Sequence, residues 1–375
     1  MEIYVVNAGD TVDDIALKYG VNVENIIFDN QLVYPYELAV GQSLLIQVGQ
    51  SNPDRYIKSN GYAYPFISNW VLENTLPYLS ELSIFSYGFT ENGELIPPLL
   101  DDMWMIETAY RYETLPILTL TPFGPDGNFN NNLISAIVGN PVSRDNLIDN
   151  LLITMENKGY RGLDIDFEYI KAEDRDLFTD FVRVCTERMH EAGYQVSVAL
   201  APKTSAAQKG LLYEGKDYRA IGEIADHVLV MTYEWGYTYG PPMAVAPLNM
   251  VRRVLEYAVT EIQPEKIMMG IPNYGYDWPL PYERGVTKAK TIGNVEAVRI
   301  AINHGAEIKF DELAKSPYFN YESNGVQHEV WLEDVRSLQN KFGLINEFGL
   351  RGAGYWQIMQ LFRANWLLLA DNFII

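Results

Sequence analysis

The chain has almost none of the residues from which disulfides and metal centres are built. Its single cysteine, Cys185, has no partner for an intrachain disulfide and excludes a cysteine-rich zinc site. The four histidines include no pair at the spacing of metal ligands, so a histidine-built metal centre is not expected either. The sequence therefore predicts no metal site.

Basic residues and long apolar runs are also scarce. Lys and Arg number 28 against 49 Asp and Glu, which gives a formal net charge of −21. Such a chain repels phosphate backbones and anionic lipid surfaces, so a nucleic-acid partner is not expected. No run approaches the 18 uncharged apolar residues that a membrane span requires. Residues 1–10 also lack the basic segment followed by an apolar segment that is typical of a signal peptide. We therefore expect neither membrane insertion nor a classical signal peptide.

Aromatic residues, in contrast, are plentiful. The chain contains 26 Tyr, 15 Phe and 7 Trp among its 375 residues. An acidic, aromatic-rich surface suits neutral polar rings such as sugars, because an aromatic face packs on the apolar face of a pyranose.

The first 48 residues form a unit of their own in the sequence. Short apolar runs at residues 3–6 and 43–46 predict two strands, and a helix from Asp10 or Thr11 to Tyr19 ends at Gly20. A second helix begins near Asn22. This βααβ order, with the motifs Gly9-Asp10-Thr11 and Tyr19-Gly20-Val21, resembles the lysin-motif (LysM) glycan-binding module. The alternative is an unrelated small α+β cap.

The LysM resemblance implies a binding site for glycans that contain N-acetylglucosamine. In that family the glycan lies between the Gly-Asp-Thr loop and the loop after the second helix. The implied contacts here are Gly9, Asp10, Thr11 and Asn30. Residues 49–56 are polar and contain Pro and Gly, which predicts a linker to the next domain.

Residues 57–375 alternate short β-rich runs with helical patterns, and this alternation predicts an α/β fold, the (β/α)8 TIM barrel. One of the helices between the strands is predicted to be capped by Ser143 and to end at Gly159. Residues 276–346 hold more chain than one helix needs, which predicts a small α+β insertion between strands seven and eight. The eight predicted strands are residues 62–66, 82–87, 116–120, 162–167, 195–199, 227–232, 267–271 and 352–356.

Three carboxylates alternate along the predicted fourth strand. The two-residue period places Asp164, Asp166 and Glu168 on one face, which in a barrel is the interior. Burial and mutual repulsion are expected to raise at least one of their pKa values. Glu168 comes last, at the rim where barrel active sites lie, and is suited to act as a general acid. The alternative is an exposed strand with a solvated acidic face.

These acids resemble the signature of glycoside hydrolase family 18, Asp-x-x-Asp-x-Asp-x-Glu, although Arg161 stands at the position of its first aspartate. Met231-Thr232-Tyr233-Glu234 resembles the family's Met-x-Tyr-Asp motif after strand six, with Glu234 as the departure. Gly270-Ile271-Pro272 and Gly354-Tyr355-Trp356 fit strands seven and eight. The family's Ser-x-Gly-Gly motif on strand three is not visible.

The resemblance implies a retaining mechanism in which the substrate supplies the nucleophile, and no cofactor. It implies Glu168 as proton donor, Asp166 beside the acetamido N–H, Asp164 as partner of Asp166, and Tyr233 on the acetamido oxygen. Trp356 would stack on the sugar in subsite −1. Further candidate sugar contacts on the loops after strands six and seven are Glu234, Trp235, Asn273 and Tyr274. Trp235 is equally a candidate for a loop anchor.

Peptidoglycan and chitin both carry the required N-acetylated sugar. A LysM module before such a barrel resembles the spore-cortex-lytic N-acetylglucosaminidases of spore-forming bacteria, which implies cleavage after N-acetylglucosamine in peptidoglycan and association with the spore or cell wall. A chitinase with the same mechanism is the second hypothesis, and a non-catalytic, lectin-like glycan-binding protein is the third.

Overall fold

The computed structural model describes residues 1–49 and 51–375, so Gln50 of the predicted linker lies outside the described residues. The strands are β1 Glu2–Val5, β2 Ser43–Ile46, β3 Lys58–Ala63, β4 Glu81–Phe89, β5 Leu95–Ile96, β6 Leu115–Leu120, β7 Gly162–Ile165, β8 Gln195–Leu200, β9 His227–Val230, β10 Ile267–Pro272, β11 Gly275–Leu280, β12 Lys290–Ile292, β13 Lys309–Asp311, β14 Ser316–Ser323, β15 Val326–Trp331 and β16 Gly352–Trp356. The helices are α1 Val12–Tyr19, α2 Val23–Asp29, α3 Asn69–Thr75, α4 Met103–Arg111, α5 Asn132–Val138, α6 Pro141–Lys158, α7 Arg175–Glu191, α8 Tyr218–Ile224, α9 Leu248–Glu261, α10 Asn294–Asn303, α11 Val335–Phe348 and α12 Arg363–Asn372.

Eight parallel strands close into a barrel, which confirms the predicted (β/α)8 fold. The strand order around it is β3, β16, β10, β9, β8, β7, β6 and β4, and β4 pairs again with β3. Helices cover the outside, where the apolar faces of the strands pack against them. Because all eight strands run the same way, their carboxyl ends meet at one face of the barrel.

Several predicted boundaries within the barrel were wrong. The first barrel strand is Lys58–Ala63 rather than residues 62–66, because the polar Ser59 and Asn60 conceal a buried strand. Asn60 Nδ2 donates to Ser83 Oγ on the neighbouring strand (2.9 Å), so these polar groups are satisfied inside the barrel. Helix α6 begins at Pro141 and is capped by Asn140 rather than Ser143, because the Asn140 side chain accepts from the backbone N–H groups of Val142 and Ser143.

The amino-terminal end of the barrel is closed by a buried charged cluster. Glu81 is 3% exposed, and its carboxylate lies 3.3 Å from His227 Nε2 and accepts from Gln195 Nε2 at 3.0 Å. Burial opposes the charged form of Glu81, but these partners outweigh it and lower its pKa to about 2. The cluster satisfies the carboxylate within the core.

The N-terminal module has the predicted βααβ order. Strands β1 and β2 pair antiparallel, Thr11 caps α1 by accepting from Asp14 N, and Gly20 ends the helix with a φ of +65°. The Asn22 side chain caps α2 in the same way. The two helices and two strands enclose a small apolar core of their own.

The module packs directly against the rest of the chain. Ile308 N donates to Val40 O (2.8 Å), and Arg336 Nη2 donates to Gly41 O (3.0 Å). Gly41 has a φ of +80°, and a Cβ there would lie 1.9 Å from Ile308 O, so only glycine fits this contact. The side chain of Leu45 joins the main barrel core.

Between β10 and β16, where a small α+β insertion was predicted, the chain inserts a five-stranded antiparallel sheet and helix α10. The strand order is β12, β11, β15, β14 and β13, and α10 packs on the sheet through Ala297 and Ala301. Because β11 follows directly from the carboxyl end of β10, the insertion stands on the face of the barrel where the strands end. Of the helices described, none has the length and apolar character that a membrane span requires.

Candidate active site

Asp164 is the innermost of the three carboxylates and lies inside the barrel on β7. It is 1% exposed and accepts from Ser197 Oγ (2.7 Å) and Tyr62 Oη (2.9 Å). Burial raises the pKa of Asp164 to about 6, and these two hydrogen bonds limit the rise. The buried position is incompatible with the alternative of a solvated acidic strand.

Asp166 and Glu168 follow β7, which ends at Ile165 and not at residue 167 as predicted. Asp166 N still donates to Leu120 O (2.9 Å), so the backbone stays in line with the barrel for one more residue. Asp166 is 6% exposed, and among the described residues no group hydrogen-bonds its Oδ1. Burial raises the pKa of both carboxyl groups, and the charge of Glu168 raises that of Asp166 further. The two acids therefore cannot both ionise cheaply.

The acids lie in an open pocket of about 610 Å³ at the carboxyl face of the barrel. Tyr233 and Trp356, from the ends of β9 and β16, line it together with Asp166 and Glu168. The Trp356 ring is held edge-to-face by Phe85, with ring centroids 4.9 Å apart. Further lining residues are Tyr62, Tyr169, Tyr213, Met231, Glu234, Trp235 and Tyr237.

Glu234 departs from the family pattern, and two tyrosines accommodate it. Its carboxylate accepts from Tyr274 Oη and from Tyr276 Oη, the latter at 2.9 Å. Burial raises the pKa of Glu234, which these hydrogen bonds partly offset. Tyr274 therefore supports the pocket wall from behind, whereas Glu234 and Trp235 line the pocket itself.

Asn273 lies outside the pocket lining. It is 3% exposed, and its Nδ2 donates to Gln357 O (3.1 Å) and Gln360 O (2.9 Å). It thus fixes the loop that follows Trp356. Arg161, which stands at the position of the family's first aspartate, is exposed near the ring of Tyr110 and away from the acids.

The residues predicted to bind glycan in the N-terminal module lie in two places. Asp10 and Thr11 line an open groove, next to Gly9, which has a φ of +89°. Asp10 also accepts from Tyr4 Oη (2.6 Å) and Asn7 N (2.7 Å). Asn30 is hydrogen-bonded to the backbone of Ile26 and Leu45, so its amide fastens α2 to β2.

Lys216 is a functional candidate that the sequence analysis missed. It is fully buried, and its Nζ donates to Ala199 O (2.9 Å), a residue that lines the catalytic pocket. Burial lowers the pKa of Lys216 to about 8. The negative charges of Asp166, Glu168 and Asp164 favour its charged form and so limit this decrease. No sequence motif surrounds Lys216, so its relation to the acids is visible only in the folded structure.

Comparison with known proteins agrees with this geometry. Residues 122–360 match the model of the glycosyl hydrolases family 18, and residues 4–47 match that of the LysM domain. The chain belongs to glycosyl hydrolases family 18. It is therefore a glycosidase, which sets aside the lectin-like alternative.

Several relatives in family 18 match over the whole chain. A cortical fragment-lytic enzyme of Bacillus subtilis is 37% identical, with 100% of this chain and 98% of the relative covered. The crystal structure of the Bacillus cereus spore cortex-lytic enzyme SleL superposes with a TM-score of 0.94 at 35% identity, covering 100% of this chain and 98% of that one. A chitinase from Chromobacterium violaceum has a TM-score of 0.77 at 23% identity over 84% of this chain and 98% of its own, and shows the shared fold alone.

Proposed function

We propose that this family 18 enzyme hydrolyses the β-1,4 bond after N-acetylglucosamine in the cortex peptidoglycan of bacterial spores, with retention of configuration. The observation that carries the mechanism is that, in the described part of the chain, nothing hydrogen-bonds Oδ1 of Asp166, which lines the pocket together with Glu168. A buried carboxylate oxygen without a partner is costly, so this atom is suited to accept a hydrogen bond from substrate.

In the proposed mechanism, Glu168 protonates the glycosidic oxygen while the acetamido carbonyl of the −1 sugar attacks C1. Asp166 accepts from the acetamido N–H and stabilises the positive charge of the oxazolinium ion that forms. Glu168 then activates the water that opens this ion. Because burial raises the pKa of both acids and the charge of Glu168 raises that of Asp166 further, one proton remains on the pair for the first step.

The other pocket residues orient the sugar. Tyr233 Oη positions the acetamido oxygen, and the indole of Trp356 stacks on the apolar face of the −1 pyranose. Asp164, fixed by Ser197 and Tyr62, exchanges a proton or hydrogen bond with Asp166. Glu234 and Trp235 contact the sugar from the pocket wall. In the N-terminal module, Gly9, Asp10 and Thr11 bind a second part of the same polymer.

Peptidoglycan is favoured over chitin because full-length relatives are named for the lysis of cortex and cortical fragments. Those names also support association of this enzyme with the spore or cell wall. The partner we propose is thus a polymeric glycan that contains N-acetylglucosamine.

The bond cleaved is tested by mass spectrometry of cortex peptidoglycan digested with the wild-type enzyme. We expect new reducing ends on N-acetylglucosamine, and no cleavage of the same material after chemical N-deacetylation, because the acetamido group is the nucleophile. New reducing ends on muramic acid, or equal cleavage after deacetylation, would contradict the proposal. Cleavage of chitin oligomers but not of cortex would assign the enzyme to chitin.

Lys216 gives a second prediction, on pH dependence. Its positive charge lowers the pKa of Asp166 and Glu168, so Lys216→Met should raise both values. Because ionised carboxylate is needed at Asp166, the acidic limb of the kcat/KM profile should move to higher pH by about one unit.

The matched control is Lys203→Met, since Lys203 is also buried but donates to Lys216 O and faces Asp217, Glu214 and Glu261 instead. We expect no shift of the acidic limb in this variant. A loss of activity without any shift in Lys216→Met would mean that Lys216 has only a structural role.

A further inference from the structure

Two adjoining hollows lie where the N-terminal module, the insertion and the barrel meet. One has a volume of about 380 Å³ and the other about 480 Å³. Gln31 of the module and Asn294 and Arg299 of α10 line both hollows. We call the combined feature the junction groove, defined by Gln31, Asn294 and Arg299 together with Trp70 of α3, which lines the larger hollow.

At one end the junction groove continues into the module. The smaller hollow shares Pro35, Glu37 and Ile302 with the open groove that contains Asp10 and Thr11. Ile302 belongs to α10, so the insertion helix borders the module's groove as well. The two depressions therefore form one continuous surface across the boundary between the module and the barrel.

At the other end the junction groove reaches the carboxyl face of the barrel. Asn273 lines the larger hollow and donates to Gln357 O, the residue after Trp356 of the catalytic pocket. The same face carries two exposed aromatic rings, Phe66 at 65% and Trp70 at 59% exposure. The Phe66 ring stacks on Tyr64 at 5.1 Å, and Tyr64 lies edge-to-face with Trp356 at 6.1 Å. Aromatic rings thus extend from Trp356 through Tyr64 to Phe66, which comes four residues before Trp70 in the chain.

The lining of the junction groove offers a stacking surface and hydrogen-bonding groups to an amide-bearing sugar chain, beside charged side chains such as Glu37 and Lys290. Trp70 offers an exposed indole face to a pyranose ring. Asn294 is 3% exposed; its Oδ1 accepts from Glu333 N (2.9 Å), and no described group accepts from its Nδ2. Arg299 makes a long ion pair of 3.8 Å with Glu296, which leaves guanidinium donors for other partners.

The walls of the junction groove are held in place without ligand. Arg363 N donates to Gln31 Oε1 (2.7 Å), and the Arg363 guanidinium lies 4.0 Å from the centre of the Phe28 ring. Together with the contacts of Val40 and Gly41, these interactions fix the module on the barrel. A preorganised groove binds a polymer with a smaller loss of entropy than a module on a free tether.

We propose that the junction groove is a glycan-binding site that holds the peptidoglycan strand between the N-terminal module and the catalytic pocket. The inference rests on the proposed function, since it assigns the groove to the same polymer. The groove makes the enzyme selective for long strands, because only a strand that extends beyond the catalytic pocket reaches Trp70 and Arg299.

The test compares Trp70→Ala and Arg299→Ala with the wild type on two substrates, intact cortex glycan strands and a tetrasaccharide from the same material. The ratio of kcat/KM for the long substrate to that for the short one should fall about tenfold in each variant. The matched control is Tyr56→Ala, since Tyr56 is 76% exposed but precedes β3, at the opposite face of the barrel. Its ratio should equal that of the wild type.

A ratio equal to that of the wild type in both variants would overturn the proposal. If kcat/KM had then fallen equally on both substrates, the two side chains would act on the catalytic pocket instead. Sedimentation with insoluble cortex peptidoglycan makes the same comparison without turnover, and each variant should bind at least about fivefold more weakly than Tyr56→Ala. If the wild type cleaves neither substrate, the proposed function fails, whereas equal sedimentation of the variants and control would count against the junction groove itself.

Discussion

Glu168→Gln should lower kcat on peptidoglycan by about 10³-fold, because glutamine fills the same space but has no proton to give. The side chain lies in the pocket between a buried acid and solvent, so the substitution leaves the fold and the glycan-binding surfaces in place. Affinity for the polymer, measured by sedimentation, should remain close to that of the wild type. The loss should be smaller for a substrate with an aryl leaving group, which departs without protonation.

The control for Glu168→Gln is Glu173→Gln, a nearby glutamate that is exposed. It should retain wild-type kcat on both substrates. The assignment of Glu168 as the acid would be wrong if Glu168→Gln kept more than a tenth of the wild-type kcat, or if the aryl substrate lost as much activity as the polymer.

Asp166→Asn should lower kcat by about 10²-fold to 10³-fold with little change in KM. The buried carboxylate is suited to stabilise a positive charge that exists only after the acetamido group has attacked C1. Asparagine retains the size and can still accept a hydrogen bond through its amide oxygen, so the ground-state contact survives while the charge is lost. Single-turnover measurements separate these two contributions.

Asp176→Asn provides the comparison for Asp166→Asn, since Asp176 is exposed on α7 and the charge change is identical. We expect wild-type kinetics there. If Asp166→Asn instead raised KM and left kcat unchanged, Asp166 would serve only to bind the ground state of the substrate.

Much of the catalytic pocket was predictable because its chemistry lies in one short segment. The alternation of Asp164, Asp166 and Glu168 with apolar residues predicted an acidic face, and the position in the fourth of eight strands predicted where that face lies. Tyr233 and Trp356 were predictable for the same reason, since each follows a strand of the barrel. All these side chains line or adjoin one pocket.

Other features depend on residues that are distant in sequence. Tyr62, Ser197 and Lys216 come from three separate segments and carry no motif, yet the first two bind Asp164 and the charge of the third interacts with all three acids. The strand that contains Tyr62 was predicted to begin four residues too late, because its first half is polar and lacks the apolar residues that predict a buried strand. Asn273 stays a predicted sugar contact, and the structure adds that its amide fixes the loop after β16.

The sequence by itself determined the barrel, the N-terminal module, the insertion and the line of three acids, because each follows from a local period or a short motif. Only the tertiary structure decided which lysine offsets the charge of those acids, which tyrosines hold Glu234, and how the module faces the catalytic pocket. Those relations arise where chain segments far apart in sequence pack together. Local periodicity carries no information about such distances, and for that reason the junction groove has no signature in the sequence.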